Sequence, residues 1–118
     1  MEGLPPSKPI NIEIRMEMLG NDRVYNFSYA PGTVHVASGT QLRFNLTGEQ
    51  LSRAWVVFDV PVKLPVPNSD FYVQVYPETK QSSAATIDAK GAHHYQFIGM
   101  HPNGDLVADV YCPSVIVH

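Results

Sequence analysis

The sequence predicts an all-β protein, an antiparallel Greek-key β-sandwich of eight or nine short strands. Three observations predict it. Apolar and polar residues alternate strictly in several separate stretches, the period of a half-buried strand. Ten prolines and eight glycines are scattered over 118 residues, so the chain is cut into short segments by turn signals rather than left in long helices. Only residues 78–89 admit even one helical turn. With 44% hydrophobic residues, a chain of this length buries enough surface for one core. Residues 1–9, with Pro5, Pro6 and Pro9, read as an extended arm, and residues 10–118 as a single domain.

The elements follow in order. Ile10, Ile12, Ile14, Met16 and Met18 alternate with Asn11, Glu13, Arg15 and Glu17, giving a strand with one apolar face. Gly20-Asn21-Asp22 is turn chemistry, and Tyr25, Phe27 and Tyr29 then alternate with Asn26 and Ser28, which predicts a hairpin. Pro31-Gly32 breaks the chain before a short strand with Val34 and Val36. Ser38-Gly39 turns it into the alternation of Leu42, Phe44 and Leu46. Residues 47–53 form a polar connection. Ala54 to Val60 is a near-continuous apolar run, the pattern of a strand covered on both faces. Pro61, Pro65 and Pro67 predict a long exposed loop reaching Asp70. Phe71 to Tyr76 is a strand, as is Ala92 to Ile98. His101-Pro102-Asn103-Gly104 turns the latter into a return strand, Leu106 to Cys112, and Pro113 separates that strand from Ser114–His118.

Composition excludes several classes. Eight basic against eleven acidic residues give a net charge of −3, which argues against nucleic acid as a partner. The lone Cys112 excludes an internal disulfide and any multi-cysteine metal centre. No apolar run reaches the ~20 residues of a membrane-spanning helix, so no membrane is expected. The start lacks the basic and hydrophobic regions of a secretory signal. If Met1 is the native start, the expected location is the cytoplasm; if a signal was removed, the periplasm or the exterior.

Phe27-Ser-Tyr-Ala-Pro31-Gly-Thr-Val34-His-Val36-Ala-Ser-Gly39-Thr-Gln-Leu42-Arg-Phe44 resembles the first half of cupredoxins, and Trp55-Val-Val-Phe58-Asp59 is similar to the family's next strand. Gly91-x-x-x-Tyr95-x-Phe97, the turn at Pro102 and Gly104, and Leu106-Val-Ala-Asp-Val110 look like its C-terminal hairpin. The resemblance covers about three-quarters of the chain. It implies a cupredoxin-like sandwich, with an immunoglobulin-like one as the alternative. It also implies positions for a blue-copper site of two imidazoles, a thiolate and a weak axial ligand. The first imidazole would stand where this chain has Ala54-Trp55, and the thiolate where it has Gly99. Met100 and His101 fall in the loop of the remaining ligands, whereas Cys112 lies well downstream. The resemblance therefore carries the fold and not electron transfer.

His93, His94, Met100 and His101 fall within nine residues and, with Cys112, are the candidate copper or zinc ligands. On a strand, however, His93 and His94 point to opposite faces, so the plain expectation is one half-buried and one solvated imidazole. His35 and His118 are isolated in sequence and read as surface residues. Cys112, at the end of an apolar strand, reads as a buried, unreactive thiol. Asp105 and Asp109 share one strand about 13 Å apart, too wide for a glycosidase pair. No catalytic motif is present, and the expected class is not an enzyme. The Asn26 and Asn45 sequons lie in predicted strands and read as chance.

Two functions follow. The first is a small non-enzymatic binding or interaction protein with no cofactor. It works on a protein partner or on itself through Pro61, Pro65, Pro67, Phe71 and Trp55, with the apolar face of 10–18 pairing across a dimer. The second is a copper- or zinc-binding protein using His93 or His94, Met100 and His101. The sequence names no small-molecule ligand.

Overall fold

The alternation at the start of the chain becomes β1 (Ile10–Leu19), in which Ile12, Ile14 and Met16 are fully buried while Asn11, Glu13 and Arg15 face out. The computed structural model describes residues 9–19, 24–64, 69–109 and 112–118. Residues 1–8 of the expected 1–9 arm and the Gly20-Asn21-Asp22 turn lie outside the described residues. After β1 come β2 (Val24–Ala30), β3 (Thr33–Val36), β4 (Gln41–Gly48), β5 (Arg53–Lys63) and β6 (Ser69–Tyr76). The chain continues through β7 (Gln81–Ser82), β8 (Ala85–Thr86), β9 (Gly91–Met100), β10 (Leu106–Ala108) and β11 (Ser114–Val117). Residues 78–89 hold no helical turn; a tight turn leads instead into the two-residue strands β7 and β8. Those two short strands raise the total above the expected eight or nine.

The strands form two layers. β2, β1 and β4 make one, and β6, β5, β9, β11 and β3 the other, with β10 beside β9; β7 bridges β4 to β6, and β8 bridges β4 to β5. Most pairs are antiparallel as expected, including the β1–β2 hairpin. Two are not: β1 runs parallel to β4, and β3 parallel to β11. A period of two reads the same whichever way the neighbour runs, so alternation cannot reveal the direction of pairing.

The core lies between the layers. The ring of Phe44 on β4 packs edge-on against Phe58 of β5 and Tyr95 of β9, with centroids 5.7 and 5.2 Å apart. Phe27 and Tyr29 of β2 reach across to Phe97 and Tyr95 at 5.9 and 6.0 Å. The Tyr25/Phe27/Tyr29 stripe is thus partly buried against the core. The Tyr29 hydroxyl donates to Asp109 Oδ2 at 2.7 Å, tying β2 to the segment after β10. Burial raises the pKa of this hydroxyl well above the ordinary tyrosine range, and the Asp109 carboxylate raises it further.

The close parallel approach of β1 and β4 needs Gly48. It sits opposite Met16 with φ +99°, and a Cβ there would lie 1.9 Å from the Met16 carbonyl oxygen. That oxygen also accepts the Glu49 amide at 2.9 Å.

Three further expectations are corrected. The apolar face of 10–18 is not free to pair across a dimer, because Ile12, Ile14 and Met16 are completely covered by this chain's own core. Pro61 does not open a loop: β5 continues to Lys63 with Val62 buried, and Pro61 stands exposed where the β5–β6 register shifts. A bulge tolerates the missing amide that a regular ladder would not. Pro65 and Pro67 lie outside the described residues. Cys112 is not on a strand and is exposed rather than buried, since β10 ends at Ala108.

Candidate functional site

β5 was expected to be covered on both faces, and the structure covers one. Ala54, Val56 and Phe58 are buried in the core, while Trp55 and Val57 point outward and are only half-buried. Register shows what surrounds them on the outer face. Trp55 lies opposite Gln74 of β6 and Ile98 of β9, and Val57 opposite Tyr72 and Gln96. Arg53 lies opposite Met100, which in turn faces Leu106 of β10. Directly opposed residues point the same way, so these side chains form one surface. Tyr72 is 43% exposed, Tyr76 44% and Leu106 69%. Phe71 is 53% exposed near the start of β6, where the register shifts.

The positions that the cupredoxin resemblance assigns to copper ligands are also adjacent. Ala54 and Gly99 pair across β5 and β9. Neither offers a donor atom. The space beside them is apolar: a Cβ on Gly99 would lie 2.6 Å from Leu51 Cδ1 and 3.4 Å from both Phe97 and Val107. Leu51, from the connection read as merely polar, is buried and plugs this end of the sandwich. These residues do not fit a blue-copper ion, and no electron-transfer step follows from them.

β9 keeps the other candidate ligands apart. His93 and His94 stand near its start, Met100 and His101 at its end, a separation on the order of 20 Å at the strand rise. His93 is inward and half-buried; its Nε2 is 2.7 Å from the Ala89 carbonyl oxygen, and its Nδ1 3.8 Å from Asp59. His94 is exposed, with Nδ1 3.0 Å from Ser114 Oγ. Cys112 borders a small cleft of about 210 Å3 with His94, Asp59 and Gln96, at the His94 end of β9. Among the described residues no three His, Cys, Asp or Glu side chains converge as a metal cluster.

His101 lies over Tyr25, with ring centroids 5.4 Å apart, and its buried Nε2 has no hydrogen-bond partner among the described residues. Together with Asn103, Asp105 and Leu106 it lines an open cleft of about 610 Å3. The backbone there is tied: Ser52 donates to the Met100 carbonyl at 2.8 Å, and the His101 amide to Asp105 at 2.8 Å. Asp109 binds Tyr29, and Asp105 sits in the turn before β10, so the two carboxylates do not share a strand.

One juxtaposition escaped the sequence. His35 Nδ1 and His118 Nε2 are 2.9 Å apart, with ring planes tilted by only 13°. Eighty-three residues separate them, and only the parallel pairing of β3 with β11 brings them together. The outer aromatic face was better signalled, by the odd-numbered apolar residues of β5.

No protein-family model matches the chain, and no curated protein does. Among solved structures it is similar to the oxidized form of plastocyanin from Dryopteris crassirhizoma. Identity is 20%, the TM-score 0.49, and the match covers 92% of this chain and 100% of that one. At the positions that the sequence resemblance assigns to the first imidazole and the thiolate, this chain has Ala54-Trp55 and Gly99, none of them a copper ligand.

Proposed function

We propose that this chain is a non-enzymatic binding protein that self-associates through the outer face of β6, β5 and β9. The carrying observation is the contiguous surface of Tyr72, Val57, Trp55, Ile98 and Met100 on a face where alternation would ordinarily place polar residues. Trp and Tyr are the residues that most often anchor an interface. The occupant that suits this face is a second copy. Along β5 the outward residues run Arg53, Trp55, Val57, Asp59, with a cation at one end and an anion at the other. A two-fold pairing places each Arg53 toward the Asp59 of the second copy, with the aromatic centre covered.

Sedimentation velocity over a concentration series, with light scattering at each point, tests the proposal. Dimer at tens to hundreds of micromolar, lost in Trp55→Ser and weakened by salt, is the expected result. A wild-type chain that stays monomeric at several hundred micromolar overturns it and leaves the face to a different protein partner. The copper- or zinc-binding alternative is less well supported, because β9 keeps His93 and His94 at one end, with Cys112 beside His94, and Met100 and His101 at the other.

A further inference from the structure

We infer that His35 and His118 form a two-imidazole clamp for a divalent transition-metal ion, with Cu2+ or Ni2+ as the chemical class. The inference does not rest on the self-association reading: β11 borders β9 and β3 lies beyond it, and neither strand supplies a residue to the surface of Tyr72, Val57, Trp55, Ile98 and Met100.

The geometry carries it. Two nitrogens each bonded to one ion at about 2.0–2.1 Å and meeting at a right angle stand about 2.9 Å apart. His35 Nδ1 and His118 Nε2 already stand at 2.9 Å. A right angle between neighbouring ligands is the preference of square-planar or tetragonal Cu2+ and Ni2+, whereas tetrahedral Zn2+ opens that angle and would need the rings to separate. Imidazole nitrogen is a good donor for both favoured ions.

The pair is also held in place by paired backbone. On β3, Val36 faces the core and His35 faces out; on β11, Val115 and Val117 face the core and the alternate positions face out. The parallel register aligns Ile116 with His35 and Val117 with Val36. The His118 amide donates to the Val36 carbonyl at 2.9 Å, and the His118 carbonyl accepts from the Ser38 amide at 3.0 Å. Both α-carbons are thus fixed by ladder hydrogen bonds, so an ion meets rings already near their binding separation and little ordering opposes capture. Both side chains are exposed, which gives an ion access and leaves its remaining positions to water. When metal binds, the ring that donates in the bridging hydrogen bond takes the tautomer protonated on its other nitrogen, so each neutral ring presents a lone pair at the facing nitrogen.

The test titrates the untagged full chain with Cu2+ and, separately, Ni2+ at neutral pH. Readouts are calorimetric stoichiometry, the Cu2+ electron paramagnetic resonance spectrum and histidine-ring nitrogen NMR. One ion per chain is expected, with coupling to two imidazole nitrogens and with the His35 and His118 ring signals broadening first. Affinity falls about tenfold or more in His35→Gln and in His118→Gln, and is kept in His93→Gln and His101→Gln. The absence of stoichiometric binding by the wild type overturns the clamp. So does binding that survives both His35→Gln and His118→Gln. Ring-resolved broadening in the wild type decides the matter even where a variant folds poorly, because broadening that begins at His93, His94 or His101 also overturns it.

Discussion

The two outward faces of the sandwich differ sharply. On the β2–β1–β4 layer the outward residues are Asn26, Ser28 and Ala30, then Asn11, Glu13, Arg15, Glu17 and, at the strand end, Leu19, then Gln41, Arg43, Asn45 and Thr47. On the β6–β5–β9 layer they are Asp70, Tyr72, Gln74 and Tyr76, then Arg53, Trp55, Val57 and Asp59, then His94, Gln96, Ile98 and Met100. Both layers bury their inner residues in one core, so inner-face packing does not account for the contrast. The first layer shows what this chain puts against water, and the second departs from that standard over three adjacent strands. A face that departs from its own chain's solvent standard marks an interaction surface better than any single exposed aromatic residue.

The largest expected effect comes from the layer with the polar face. Gly48→Ala forces a Cβ against the Met16 carbonyl oxygen in a backbone conformation with positive φ. The β1–β4 ladder must part or the turn must rebuild, and a cost of about 4 kcal/mol is expected in urea unfolding. A variant within about 1 kcal/mol of wild type would mean that the two strands can separate here without loss.

Next comes the bridge between the layers. Tyr29→Phe removes the donor to Asp109 and is expected to cost about 1–2 kcal/mol. It also changes the response to alkali. The buried hydroxyl keeps its proton to higher pH than an unfolded tyrosine, whose ordinary pKa is 10.0. Below that pH both states are protonated and the contribution is constant. As pH rises above it, the unfolded state loses its proton first and stability falls. Unfolding midpoints measured from pH 8 to 11.5 should therefore drop less steeply for Tyr29→Phe than for wild type. Parallel curves would show that Tyr29 ionises as freely in the fold as out of it.

Most strands were legible because alternation is local. Ile12, Ile14 and Met16, or Leu42, Phe44 and Leu46, announce their buried face within a few residues. What was not legible depended on partners far along the chain. β1 pairs with β4 across β2 and β3, and His35 meets His118 only through β11, so no window of sequence contains either fact. The run at 54–60 misled for a different reason. A strand covered on both faces and a strand with an outer apolar surface have the same residues, and only the structure shows that Trp55 and Val57 face outward and stay half-exposed. Leu51 was missed because one apolar residue in a polar connection carries no period at all.

A third variant acts on the face itself. Val57→Lys puts a charge between Tyr72 and Gln96, at the centre of the surface, with the core-facing neighbours Val56 and Phe58 untouched. Stability should move by less than about 1 kcal/mol. Self-association should weaken at least about tenfold, equivalent to about 1.4 kcal/mol, when followed by sedimentation. An unchanged dimer constant would remove this face from the interface.

The smallest effect is expected on the opposite side, where Arg15 and Glu17 form an ion pair with side-chain exposures of 63% and 42%. Such pairs contribute about 0–1 kcal/mol, since water screens them and two long side chains lose freedom to make them. Glu17→Gln should shift the urea midpoint by less than about 0.5 kcal/mol and leave sedimentation unaltered. The second half of that expectation is the sharper one. If the dimer weakened on losing a charge from β1 while Val57→Lys left it intact, the polar layer would be the one that meets a second copy. The aromatic layer would then have to be explained by some other occupant.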